Sequence, residues 1–268
     1  MCVHGTPELK KKFNYKEHLS TLDIKGILLE GRRYRCPSIS FQGDNESFLI
    51  RELPLWFRMA RDHGFMDIMV NTNGSIMSEH LAEEICTSGL TRLRFSLDAV
   101  KKSTYEKIRI GGDFDKVVSN IELFLETRGT RQIPKVGLNF LKMKSNESEI
   151  DEFIDTWNDR VDYIVFQDYF APDTISSGYI SKFAASDFPE VGRFRCPQPW
   201  QRVYIRGNGD VVPCCAMFGS YMKVGNVHEK SIHDIWNSPK YKYMRKIHKN
   251  YEYHKNMFCF RCSKAGVK

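Results

Sequence analysis

The sequence predicts an α/β fold, a parallel sheet or barrel followed by a small cysteine-rich α+β domain. Three observations carry this. Short apolar segments alternate with amphipathic ones from Tyr34 to Phe170, polar residues gather at the C-terminal ends of the apolar segments, and five of the eight cysteines fall in the last 73 of 268 residues, four of them, Cys196, Cys214, Cys259 and Cys262, in a spacing that suits a metal centre. The expected bounds are 1–175 for the strand-helix part, 176–195 for a linker and 196–268 for the cysteine-rich part.

Taken in order, the candidate strands are Ser38–Phe41, Asp67–Asn71, Arg92–Leu97, Val136–Leu141 and Tyr163–Gln167. Each is rich in Ile, Val, Leu, Met or Phe, as strands covered on both faces should be. Between them, Phe114, Val117, Val118, Ile121, Phe124 and Leu125 form one helical stripe, and Ile150, Phe153, Ile154 and Trp157 another. Ser103-Thr104-Tyr105-Glu106 and Asn146-Glu147-Ser148-Glu149 read as capping signals at helix starts. Ligands of parallel strand-helix folds gather at the C-terminal strand ends. There the sequence places Gly43-Asp44-Asn45-Glu46, Thr72-Asn73-Gly74-Ser75, Ser96 with Asp98, Asn139 and Gln167. Any one of these is ordinary turn chemistry; five on one rim predict a polar pocket.

In the C-terminal part, Cys196 is followed after twelve residues by Gly209, after four more by Cys214, and later by Cys259-Phe260-Arg261-Cys262. A two-residue gap lets both thiolates of a pair turn onto one metal or cluster, and remote cysteines close the shell. Val203-Tyr204-Ile205 and Val211-Val212 flank Gly207-Asn208-Gly209-Asp210, a hairpin that would bring Cys214 beside Cys196. Neighbouring side chains of an extended segment point oppositely, so Cys214 and Cys215 do not ligate together; the glycine spacing selects Cys214. Four thiolates suit zinc and iron-sulfur equally. Cys86 and Cys36 are expected to be small core hydrophobes.

Composition narrows the class. With 41% apolar and 27% charged residues the chain is a soluble globular protein. It has no apolar run near the roughly 18 residues of a membrane span and no leader pattern after Met1, so no membrane partner is expected and the cytoplasm is the expected location. Cysteines clustered at one end of a long chain fit metal binding better than a secreted disulfide framework. The formal charge of +7 raises the question of nucleic acid, and Lys240–Lys255 interleaves basic residues with tyrosines. The expected reading is a solvated helix leading to Cys259, without a nucleic-acid partner.

The order of these motifs resembles radical S-adenosylmethionine (radical SAM) enzymes that carry a SPASM or twitch-type auxiliary-cluster domain. Phe41-Gln42-Gly43-Asp44-Asn45-Glu46-Ser47 is similar to the family's Gly-Gly-Glu-Pro strand end, with Asn45 and Ser47 at the usual glycine and proline. Thr72-Asn73-Gly74, Ser96-Leu97-Asp98 and Arg109 resemble further elements of that set. So do Cys196-Pro197-Gln198-Pro199-Trp200, Cys214, Gly225-Asn226, Ile235-Trp236, Cys259 and Cys262 in the tail. The resemblance implies a partial (β/α)6 barrel lacking its first strand. It implies SAM held by Gly43, Glu46, Asn73, Ser96 and Arg109, and an auxiliary [4Fe-4S] cluster held by Cys196, Cys214, Cys259 and Cys262. The family's C-x3-C-x2-C motif is represented by Cys2 alone, so the sequence is expected to begin inside that motif, with Cys2 one ligand of a SAM-binding [4Fe-4S] cluster.

The implied activity is that of an oxidoreductase or maturase. Reductive cleavage of SAM gives a 5′-deoxyadenosyl radical that takes hydrogen from a peptide side chain or a sugar-like alcohol. The implied partners are a peptide or small-molecule substrate and an electron donor such as flavodoxin or ferredoxin. An RNA-modifying enzyme of the same chemistry and a noncatalytic zinc or iron-sulfur module are the alternatives. No catalytic acid or base is assigned; Asp98, Asp168 and the eight histidines are candidates only.

Overall fold

The structure is a computed structural model that describes residues 17–43, 45–168, 196–215 and 222–264. Its contacts divide into two compact units, the first running from Ser20 to Asp168 and the second holding Glu17–Leu19 together with the residues from 196 onward. The expected linker, 176–195, lies outside the described residues.

The first unit opens with helix α1 (Thr21–Arg33), which begins at a capping box: Ser20 Oγ accepts from Asp23 N, and Asp23 accepts from Ser20 N at 2.8 Å. Strand-helix units follow: β1 (Ser38–Ser40), α2 (Leu53–Asp62), β2 (Asp67–Thr72), α3 (Glu79–Thr87), β3 (Arg92–Ser96), α4 (Lys102–Ile108), α5 (Phe114–Arg128), β4 (Lys135–Lys142), α6 (Ile150–Trp157) and β5 (Tyr163–Asp168). The strands pair in parallel in the order β1-β2-β3-β4-β5, the open sheet of a partial (β/α) barrel. All five expected strands form, each within a residue or so of its expected ends.

Alternation gives this sheet two unlike faces. Ile68, Val70, Leu93, Phe95, Val136, Leu138 and Phe140 are fully buried on the side of the helices. Ring contacts fix that side: Phe41 meets Phe57 of α2, Phe95 meets Phe124 of α5, and Phe140 and Phe166 meet Phe153 of α6. The opposite face receives the intervening residues, Gln42, Asn71, Arg94, Ser96, Asn139 and Tyr163 among them.

Three sequence expectations need correction. Ser103 does not cap α4; the N-cap residue is Lys101, and the carboxylate of distant Glu149 accepts from Val100 N at 2.9 Å and Lys101 N at 3.1 Å. Asn146 does stand at the N-cap of the turn Glu147–Glu149, but its side chain makes no cap bond. It is fully buried, donates to Asp98 O and Leu141 O, and accepts from Met143 N. A buried amide gains more from these tertiary bonds than from a local cap. Cys36 is exposed rather than core, because Arg35 turns through positive φ and Cys36 N closes back on Gly31 O, ahead of the strand.

The second unit comprises α7 (Gln198–Gln201), β6 (Tyr204–Ile205), β7 (Asp210–Val212), β8 (Gly225–Asn226), α8 (Ile232–Trp236), α9 (Pro239–Lys249) and α10 (Met257–Lys264). The expected hairpin forms as antiparallel β6 and β7, and β8 adds a third strand. Val211, Val224, Ile235 and Tyr241 make its core. No described helix is long and apolar enough to cross a membrane.

Replacing Asn146 by alanine leaves the carbonyls of Asp98 and Leu141 and the Met143 N–H without their partner. A destabilisation of about 2–4 kcal/mol is expected in urea unfolding, since each unsatisfied buried group costs roughly 1–3 kcal/mol.

Candidate active site and metal centre

At the C-terminal strand ends of the first unit, Glu46 ties two loops together. Its Oε1 accepts from Thr72 Oγ1 at 2.7 Å and Phe48 N at 3.3 Å, and its Oε2 accepts from Asn73 N at 2.7 Å. Asn73 then turns the chain through its side chain, accepting from Ser75 N. Gly74 has φ +75, and Asn120 of α5 donates to its carbonyl at 2.7 Å. A carboxylate offers about four lone-pair sites, so Glu46 keeps one for a further donor. Gly43 is exposed beside it, and Asp44 lies outside the described residues.

The next strand end is locked by Asp98, which is almost wholly buried. Its carboxylate accepts from Arg109 Nε at 2.7 Å and from Leu141 N at 2.9 Å, and Arg109 Nη2 completes the pair at 2.7 Å. The guanidinium of Arg109 is therefore held rigidly, with Nη1 free of any carboxylate among the described residues. Ser96 and Asn139 stand side by side through the β3–β4 register. Asp168 pairs with Lys142 at 2.6 Å. Cys2 lies outside the described residues.

In the second unit, Cys196, Cys214, Cys259 and Cys262 line one cavity, together with Met222, Met244 and His248. Each thiol arrives by its own element. Cys196 precedes α7. The β6–β7 hairpin carries Cys214, and its turn needs Gly209 at φ +80, where a side chain would strike the His228 ring. Cys259 and Cys262 stand on α10, whose first turn is bound by Asn256 Oδ1 accepting from Phe258 N and Cys259 N at 3.1 Å. Cys215 is exposed.

Burial pushes three of these thiols, Cys196, Cys259 and Cys262, toward the neutral form. It raises Cys196, and it raises Cys259 well above the ordinary range, with Cys214, Cys262 and Cys196 adding like-charge repulsion. Cys262 is pushed up to about 12 by burial and by Cys214 and Cys196. Thiols that resist ionising together in an apolar cavity need a cation to hold them as thiolates, which is the chemistry of a metal centre. They surround a shared space; no group of three or more such side chains among the described residues closes on a single ion.

One residue of this cavity escaped the sequence reading. His248 is buried, and its Nε2 lies 3.3 Å from Cys259 Sγ. A lone histidine in a basic helix carries no signal of that contact. The basic stretch is otherwise as expected, with Lys240, Lys242, Lys246 and Lys249 exposed. Its one partly buried cation, Arg245, serves the fold: its guanidinium lies 4.1 Å from the Trp236 ring centroid and donates to Pro199 O and Trp236 O.

Residues 2–156 match the model of the radical SAM superfamily, and residues 196–263 match SPASM, an iron-sulfur cluster-binding domain. The chain is 30% identical over 137 residues to a probable GTP 3′,8-cyclase of Saccharolobus solfataricus, covering 51% of this chain and 42% of that protein. The match thus spans less than half the length of that relative. Among solved structures, SuiB of Streptococcus suis aligns with a TM-score of 0.67 at 17% identity, over 87% of this chain and 63% of that one. BtrN in complex with AdoMet and 2-DOIA aligns with a TM-score of 0.56 at 18% identity, over 90% and 78%. At such identities these likenesses speak for the fold.

Two outcomes follow for the thiol cavity. In anaerobically purified protein, Cys214→Ser should remove most of the iron and acid-labile sulfide held by this unit, and Cys215→Ser should leave them unchanged. In metal-free protein, thiols of the unfolded chain ionise near the ordinary 9.0 while Cys262 waits until about 12. Stability is therefore fully present below pH 9 and declines as pH rises above it, because the unfolded state loses its proton first. Urea midpoints at neutral pH and at pH about 10 should show that loss, diminished in Cys262→Ser.

Proposed function

The chain belongs to the radical SAM superfamily, and from that premise we propose that it is a SAM-dependent oxidoreductase or maturase that takes a hydrogen atom from a peptide side chain or a sugar-like alcohol. The observation that carries the reading is the convergence of Cys196, Cys214, Cys259 and Cys262 on one cavity, in a unit matched as an iron-sulfur cluster-binding domain. A noncatalytic module would have no use for the second feature, a strand-end rim built around Glu46 and Asp98 in a chain of this family.

In this reading the four cysteines hold an auxiliary iron-sulfur cluster, and Cys2 is one ligand of the SAM-binding cluster. When bound, SAM and its reduced cluster supply the chemistry, a 5′-deoxyadenosyl radical formed by breaking the bond from sulfur to the 5′ carbon. The protein's own residues orient and enclose. Gly43 would leave room at the first strand end, and Glu46 would accept from the ammonium of SAM's methionine with the lone pair that its three bonds leave over. Asn73 and Ser96 line the same rim. Arg109, braced by Asp98, would hold the carboxylate of SAM's methionine through its remaining nitrogen. Peptide substrates are supported by SuiB, which has been crystallised with the precursor peptide SuiA, and by anSMEcpe, crystallised with a Kp18Cys peptide. A nucleotide substrate is the second reading, favoured by the sequence match to a probable GTP 3′,8-cyclase.

Under anaerobic reduction, a form of the protein that carries all three cysteines of the C-x3-C-x2-C motif should convert SAM to 5′-deoxyadenosine and methionine, detected by mass spectrometry. Protein that contains only zinc and leaves SAM intact would end this reading. Glu46→Gln exchanges an acceptor for a donor at the SAM ammonium and should weaken SAM binding about tenfold or more in equilibrium dialysis, as loss of a charge-assisted hydrogen bond of about 1.5–3 kcal/mol requires.

A further inference from the structure

One layer of the sheet's helix-free face is built from polar groups that the fold does not use. In-register pairing sets Asn71 beside Arg94, Arg94 beside Gly137, and Gly137 beside Tyr163. Gln42 extends the row, two residues beyond Ser40, which pairs with Met69 two residues before Asn71. Each side chain in this row beyond glycine has a buried polar atom with no hydrogen-bond partner: Gln42 Oε1, Asn71 Oδ1, Arg94 Nε and Tyr163 Oη. One layer nearer the strand ends, Asn139 is only 7% exposed and its Oδ1 is likewise unpartnered. A native protein leaves few such groups, and each costs roughly 1–3 kcal/mol. Five on adjoining positions of one face mark a place where something else completes the bonds.

Arg94 names the charge of that missing partner. Arg92, Arg109, Arg128 and Arg160 are each paired with a carboxylate, those of Asp67, Asp98, Asp162 and Glu122. Among the described residues no carboxylate pairs with Arg94. Its guanidinium instead lies 5.4 Å from the centroid of the Tyr163 ring. That stacking depends on Gly137, since a Cβ there would overlap the Tyr163 ring. The glycine lets tyrosine lie across β4 and brace the arginine, leaving the fork of terminal nitrogens for a ligand.

We propose that this layer binds the anionic end of the substrate, a carboxylate or a phosphate gripped by Arg94. Tyr163 and the amides of Gln42, Asn71 and Asn139 bind the polar groups next to it. Guanidinium forks take both anions in the same two-bonded way; a carboxylate corresponds to a peptide-type substrate and a phosphate to a nucleotide-type one. Naming the ligand as substrate rests on the function proposed above; the anion site itself does not.

The test uses the whole chain, purified without oxygen, with inorganic pyrophosphate and glutarate as the two probes at low ionic strength. Phenylglyoxal labelling read by mass spectrometry should show Arg94 protected by one of them, while exposed Arg33 stays reactive. Calorimetry should show that probe bound one to one, weakened about tenfold or more by Arg94→Gln and less by Arg94→Lys. Protection by pyrophosphate alone assigns a phosphate, and by glutarate alone a carboxylate. Failure of both probes to protect Arg94 in the wild-type protein overturns the site, as does unchanged affinity in a folded Arg94→Gln variant. Reductive SAM cleavage by the form that carries all three cysteines of the C-x3-C-x2-C motif is measured separately: cleavage without Arg94 protection removes only the anion site, and protection without cleavage removes only the radical chemistry.

Discussion

The buried carboxylate of Asp98 is the constraint on which the strand-end rim depends. An ionised group this enclosed is tolerable only when its lone pairs are filled, and removing one member of such a pair typically costs about 3–5 kcal/mol. Arg109 and the Leu141 N–H fill them. The same residue's backbone carbonyl is taken by Asn146, whose amide also holds Leu141 and Met143. Through this knot the ends of β3 and β4 are fixed to one another, and with them Ser96 and Asn139. Glu149 then anchors the chain just past Asp98 by accepting from two successive backbone N–H groups. The rim is thus rigid before any ligand arrives, which is what orientation of a reactive cosubstrate asks of a protein.

Much of this was legible in the residues. The strands showed as short apolar runs because one side of the inner ones, Ile68 and Val70 or Leu93 and Phe95, is fully buried under the helices, although the other side proved polar, and the stripes of α5 and α6 showed because each buries one side. The cysteine spacing showed because metal ligation fixes gaps that packing leaves free. What stayed hidden is non-local. Nothing near Ser103 says that Glu149 will do the capping, and nothing around Asn146 distinguishes a helix cap from a buried amide with three tertiary bonds. The two residues of β8 are too few to carry an alternation; Asn226 earns its place by donating to Asp210 and to the Asn208 carbonyl of the facing turn. The row of Gln42, Asn71, Arg94 and Tyr163, with Gly137 between the last two, becomes visible only when the register aligns five strands.

The second unit shows how little core a small module needs when its centre is inorganic. Among the described residues, Val211, Val224, Ile235 and Tyr241 make one cluster and Met244, Ile247 and Cys259 a second, and Met244 and Cys259 of the second line the cavity that the four thiols share. Arg245 replaces missing bulk by lying against the Trp236 and Tyr241 rings, which also touch each other, while its nitrogens satisfy two carbonyls. A long charged side chain here works as packing material. That is why a stretch whose composition hints at nucleic acid is in part structural.

The wide separation of the thiols along the chain also sets an order of events during synthesis. Cys262 leaves the ribosome 66 residues after Cys196, a delay of about 3 to 13 s at ordinary elongation rates of roughly 5–20 residues per second. For most of that interval the nascent polypeptide carries Cys196 and Cys214 without Cys259 and Cys262, the other two thiols of the cavity. The cavity shared by the four thiols can therefore form only after α10, the last of its elements to be made, has emerged and folded.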